Sequence, residues 1–110
     1  KGIATGVETG ETTPQGFSLQ QNYPNPFNPE TQIQYEIPKF GKAKVQVSLA
    51  IYNVTGQLVR RLVDEKKAPG VYRVTWDGKN GSGIGMSSGT YFYTIKAGDF
   101  KDSKKMLLVK

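Results

Sequence analysis

Apolar and polar residues alternate with a period of two through most of this chain. Over Thr31 to Ile37, Ile33, Tyr35 and Ile37 fall on one face and Gln32, Gln34 and Glu36 on the other. Lys44 to Asn53 repeats the pattern: Val45, Val47, Leu49 and Ile51 point inward and Lys44, Gln46 and Ser48 toward water, as in a half-buried antiparallel strand. Tyr72, Val74 and Trp76 share a face within Val71 to Asp77, and Tyr91, Tyr93 and Ile95 share one within Gly89 to Ala97. Phe17 to Gln20 predicts a brief first strand, Gln57 to Val63 a fourth and Ser103 to Val109 a last. Leu58, Val59, Leu62 and Val63 also fit helical spacing, but the run is short, β-branched and flanked by Gly56 and Pro69, which favours a strand. Turn residues punctuate these runs. Asn53-Val54-Thr55-Gly56 predicts a type I turn closed by a left-handed glycine, and Pro69-Gly70 and Gly98-Asp99 mark two further reversals. Seven strands at this spacing predict an all-β antiparallel sandwich.

A length of 110 residues allows one core. Its predicted members are Trp76, Tyr72, Val74, Val47, Leu49, Ile51, Tyr35, Tyr91 and Tyr93, with Phe27 plugging one end. Residues 1–16, rich in Thr and Gly, predict a flexible linker, and the chain reads as a piece of a longer, processed protein. The chain contains neither Cys nor His, so Cys/His and Ser/His/Asp nucleophile systems, common zinc sites, His-ligated haem and iron–sulfur clusters lack their parts. No metal or other cofactor is expected. The net charge of +6 suits an anionic partner without choosing among nucleic acid, glycan and lipid.

Four stretches invite a functional reading beside a structural one. Prolines 24, 26 and 29 in Asn22-Tyr23-Pro24-Asn25-Pro26-Phe27-Asn28-Pro29 forbid a helix or a central strand, which predicts a rigid extended connection rather than a proline-rich ligand. Asp77-Gly78-Lys79-Asn80-Gly81-Ser82-Gly83 has calcium-loop composition, with Asp77, Asn80 and Ser82 as oxygen donors, but one carboxylate beside Lys79 fits an ordinary turn better. Asn53-Val54-Thr55 spells a glycosylation acceptor that the tight turn already explains. The carboxylates Glu30, Glu36, Asp64, Glu65, Asp77, Asp99 and Asp102 sit mostly beside turns and lysines, where solvated surface groups belong, so catalysis is not expected. Aromatics Tyr72, Tyr91, Phe92, Tyr93 and Trp76 alternate as a core requires rather than forming a stacking platform. The last stretch, Lys104-Lys105-Met106-Leu107-Leu108-Val109-Lys110, sets an apolar strand between basic residues: an edge strand protected by lysines, or an address that a receptor reads by strand addition and charge.

Taken in order, Leu19 to Pro29, Ile51-Tyr52-Asn53 with Gly56-Gln57, Trp76-Asp77-Gly78, Ser88-Gly89-Thr90-Tyr91 and Lys104 to Lys110 resemble the type A C-terminal sorting domain of type IX (Por) secretion system substrates, over Phe17 to Lys110. The resemblance implies an immunoglobulin-like sandwich, domain 17–110, that directs a larger cargo through the periplasm and across the outer membrane to the cell surface or medium. It implies recognition on Lys104, Lys105, Met106, Leu107, Leu108, Val109 and Lys110. Structural roles would fall on Asn25, Pro26, Phe27, Trp76, Asp77, Gly78, Gly89 and Tyr91. Its partners would be the outer-membrane type IX machinery and, in many members, a sortase-like peptidase. No nucleic acid is implied, and membrane contact comes through the translocon alone. The alternative is a structural subunit of an extracellular filament or surface layer, self-associating through edge strands.

Overall fold

The computed structural model describes residues 16–39 and 44–110, so the predicted linker, Gly16 apart, lies outside the described residues. Seven strands follow in order: β1 (Ser18–Leu19), β2 (Thr31–Ile37), β3 (Val45–Tyr52), β4 (Leu58–Lys67), β5 (Gly70–Trp76), β6 (Gly89–Ala97) and β7 (Phe100–Leu108). They form a three-stranded sheet, β1-β2-β5, and a four-stranded sheet, β4-β3-β6-β7, antiparallel throughout. This is the all-β sandwich that the alternation predicts, with no helix among the described residues.

The core lies between the two inner faces. Ile33, Tyr35 and Ile37 of β2 and Trp76 of β5 meet Val47, Leu49 and Ile51 of β3, Tyr93 and Ile95 of β6 and Met106 and Leu108 of β7, all essentially without solvent contact. Tyr72 and Val74 are half-buried, because β5 is the outer strand of the smaller sheet. Phe17 stacks on Phe100 with ring centroids 5.3 Å apart and closes one end.

Two boundaries differ from the periodicity reading by more than one residue. β4 continues to Lys67 because Glu65, Lys66 and Lys67 pair in register with Val47, Gln46 and Val45, and an exposed edge strand tolerates a charged run that also blocks unwanted pairing. The apparent helical spacing in β4 comes from two bulges. Register jumps between Leu49 and Ala50 and between Ile51 and Tyr52 leave Leu62 and Val59 as extra residues, which break the period of two into doublets. β7 begins at Phe100 rather than Ser103, since the two-residue turn Gly98-Asp99 pairs Ala97 with Phe100 at once.

Candidate functional site

β7 runs along the edge of the four-stranded sheet and turns alternate residues into and away from the core. Met106 and Leu108 are buried, whereas Lys105, Leu107, Val109 and Lys110 are exposed and Lys104 is half-buried. Of the seven predicted recognition residues, the core therefore consumes two.

The free edge of this strand is closed by the proline-rich segment. The Phe27 N–H donates to the Leu107 carbonyl at 3.0 Å, and the Val109 N–H donates to the Phe27 carbonyl at 2.9 Å. The Leu107 N–H donates to Asn25 Oδ1 at 3.0 Å, and Gln21 Nε2 donates to the Lys105 carbonyl at 2.7 Å. An incoming strand needs these same outward-facing groups, so strand addition between Lys105 and Val109 requires displacing Gln21, Asn25 and Phe27.

That segment is itself fixed by a buried polar cluster. Asn22 Nδ2 donates to Thr31 Oγ1 at 2.9 Å and to the Pro24 carbonyl at 3.1 Å, and Thr31 Oγ1 donates to the same carbonyl at 2.8 Å. The Tyr93 hydroxyl accepts from the Asn22 N–H and donates to the Gln20 carbonyl, both at 2.7 Å. Burial pushes the Tyr93 phenol up to about 12, opposed by the Asn22 N–H and reinforced by Asp102. Asn22 and Thr31 are the buried polar residues of the described chain, and each is satisfied.

The remaining motifs gather around Trp76. Its ring lies 5.6 Å from Phe27 and 5.4 Å, edge-on, from Tyr91, and its Nε1 donates to the Lys79 carbonyl at 2.8 Å. Gly78 has φ +78, and a Cβ there would stand 3.1 Å from the Pro29 carbonyl oxygen and 3.8 Å from Leu108, so the turn after Trp76 accepts no larger residue without movement. Gly89 pairs with Leu108, and the Lys110 N–H donates to Ser88 Oγ at 2.9 Å. Asn25, Phe27, Trp76, Gly78, Gly89 and Tyr91 are thus brought together at one end of the sandwich, against the last residues of the chain.

The other candidates have local partners. Asp77 Oδ1 receives Arg60 Nη1 at 3.0 Å and the Lys79 N–H at 3.0 Å, while Asn80 Oδ1 accepts from the Ser82 and Ile84 N–H groups. These oxygens shape a turn, and among the described residues no cluster of three acidic side chains offers a metal cage. Asn53 Oδ1 accepts from Thr55 N, Thr55 Oγ1 and Gln57 N, with Gly56 at φ +85, which is the predicted turn. Glu65 lies 2.8 Å from Lys67, whose ammonium holds the carboxyl below its ordinary range and also sits 5.1 Å over the Tyr72 ring. Periodicity assigned Thr31 to a strand and gave Gln21, Asn22 and Thr31 no part in fixing this segment; the signal available was a polar run beside three prolines, a segment that must find backbone partners outside any ladder.

The fold and the clasped terminal strand define an immunoglobulin-like β-sandwich module. Residues 30–100 match the FlgD Ig-like domain family, and the chain belongs to that family. A crystal structure of dimeric latent PorU from Porphyromonas gingivalis is similar with a TM-score of 0.65 and 21% identity, over 96% of this chain and 10% of PorU. PorZ, described as an essential bacterial surface component of the type-IX secretion system of the same organism, is similar with a TM-score of 0.53 and 20% identity, over 86% of this chain and 12% of PorZ. The chain therefore spans about a tenth of the length of these proteins, and at such identities the likeness is one of fold. No curated protein matches the sequence.

Proposed function

We propose that this Ig-like domain is a non-catalytic sorting domain that directs a larger cargo across the outer membrane to the cell surface or medium through the type IX machinery. Where the domain is cleaved from its cargo, a sortase-like peptidase is the partner. The observation that carries the reading is the convergence of Asn25, Phe27, Trp76, Gly78 and Gly89 to Tyr91 around β7. The most unusual stretches of the sequence serve to hold the terminal strand in one presentation. The likeness of most of the chain to a small part of PorZ, a surface component of the type-IX secretion system, supports it, since a module carried as one part of a larger protein suits an address rather than a chemistry.

The test is export of a reporter fused ahead of residue 1 in a bacterium with a type IX system. Deleting Lys104 to Lys110 is expected to leave the fusion in the periplasm. Replacing Lys104, Lys105 and Lys110 with Gln preserves folding, because among the described residues none of the three forms an ion pair and surface charges contribute little to stability, and reduces export. Unimpaired export after the full deletion, with the remainder folded, would overturn the sorting reading in favour of a structural subunit.

A further inference from the structure

The register of β6 against β7 places Lys96 directly opposite Lys101, Thr94 opposite Ser103, Phe92 opposite Lys105 and Thr90 opposite Leu107. These residues alternate with the buried Tyr91, Tyr93, Ile95 and Met106, so all of them face outward from the four-stranded sheet. Lys96, Lys101 and Lys105 are exposed, and among the described residues none has an acidic partner within ion-pair distance. Asp64, the carboxylate that the register sets on this face, lies on β4, two strands from β6 and three from β7, and receives the Gln46 amide at 3.1 Å. Like charges directly opposite on one sheet face destabilise the pair. Lys96 and Lys101 thus oppose the fold they sit on.

The same face carries an apolar centre. Tyr52 of β3 pairs with Phe92, both half-buried, and Leu107, two positions beyond Lys105, is 40% exposed. The adjoining edge of β7 is sealed by Gln21, Asn25 and Phe27, which leaves side chains rather than backbone as what a partner meets at Lys105 to Val109.

We infer that the outer face of β6 and β7, centred on Phe92 and Leu107 and rimmed by Lys96, Lys101 and Lys105, docks onto a protein surface whose carboxylates border an apolar pocket. The inference rests on the sorting reading and names the chemistry of its receptor. A protein is favoured over a polyanionic glycan or lipid because Thr94 and Ser103 set Lys105 apart from the Lys96–Lys101 pair, and an apolar centre within a charged rim is the composition of a protein interface. It also moves the recognition site beyond the terminal heptapeptide, to Lys96, Lys101 and Phe92.

Lys96→Glu separates a docking role from a structural one, because it turns the repulsive pair with Lys101 into an attractive one. The variant is expected to melt at a higher temperature than the native domain while exporting the fused reporter about tenfold less. Phe92→Thr, on the same face, is expected to reduce export as well, and Lys39→Glu, an equal charge change outside this face, to leave it unchanged. Native export by Lys96→Glu would overturn the inference and leave the sorting reading standing. Failure of the unaltered domain to export the reporter would overturn both. Sedimentation of the domain with phosphatidylglycerol vesicles, or retention on heparin, that is lost in Lys96→Glu while Phe92→Thr exports normally would assign the face to a polyanion and overturn the protein partner.

Discussion

The side chain of Asn25 accepts the backbone N–H of Leu107 at 3.0 Å, joining residues 82 apart in sequence. Beside it the Phe27 N–H donates to the Leu107 carbonyl, and the Phe27 ring enters the core against Trp76. A single short segment thereby ends the four-stranded sheet and fills its open end. Sheet edges invite association with other chains, and this one is closed by the protein's own residues where the terminal strand is most apolar.

Asn25→Ala removes one of these bonds from an exposed position. We expect a loss of about 0.5–1.5 kcal/mol and faster hydrogen exchange at the Leu107 amide, with the Val109 amide, held by the Phe27 carbonyl, keeping its protection. Equal exchange at both positions before and after the change would contradict the described pairing.

Trp76→Ala leaves a cavity between Phe27, Tyr91 and the Gly78 turn. The expected cost is about 3–5 kcal/mol, a large part of the stability of a cysteine-free domain of this size, and measurable by denaturant unfolding. A helix-dominated circular dichroism spectrum of the native domain would refute the fold itself.

Tyr93→Phe keeps the ring and deprives the Asn22 N–H and the Gln20 carbonyl of their shared hydroxyl. A cost of about 1–3 kcal/mol is expected, since the Asn22 donor is buried. Tyr35 is also pushed up to about 12, by burial first and then by Tyr72 and Glu65. With both phenols raised above their unfolded value, their contribution is complete below pH about 10 and is lost as the pH rises through about 12. Melting temperature should fall over that window, and less steeply in Tyr93→Phe; a flat profile would show that neither phenol is held neutral by the fold.

Chelator is expected to leave the melting temperature unchanged, because Asp77 and Asn80 spend their oxygens on Arg60 and on backbone N–H groups of the turn. A ligand that binds the native state alone stabilises it by mass action, so a drop of several degrees would reveal a bound cation.

Period-two alternation was enough to place β2, β3, β5 and β6 and to tell their inward from their outward faces, because a half-buried strand in a two-layer sandwich writes its burial directly into its sequence, although Tyr72 and Val74 on the outer strand β5 stay half-buried. Turn chemistry did the same for Asn53 to Gly56 and for Gly98-Asp99. The Gly98-Asp99 reversal was marked, but not that it spans only two residues, so the opposition of Lys96 to Lys101 emerged only with the register of β6 against β7. In β4 the alternation is broken by bulges, whose extra residues depend on the partner strand and leave no local signature. The role of Asn22 to Pro29 was hidden for a related reason. Prolines announce that a segment makes no regular ladder, yet where its carbonyls and side chains find their partners depends on which distant strand lies alongside. Only the tertiary structure brought Leu107 to Asn25, Tyr93 to Asn22 and Pro29 to Gly78, because those contacts join residues whose separation along the chain carries no information about their distance in space.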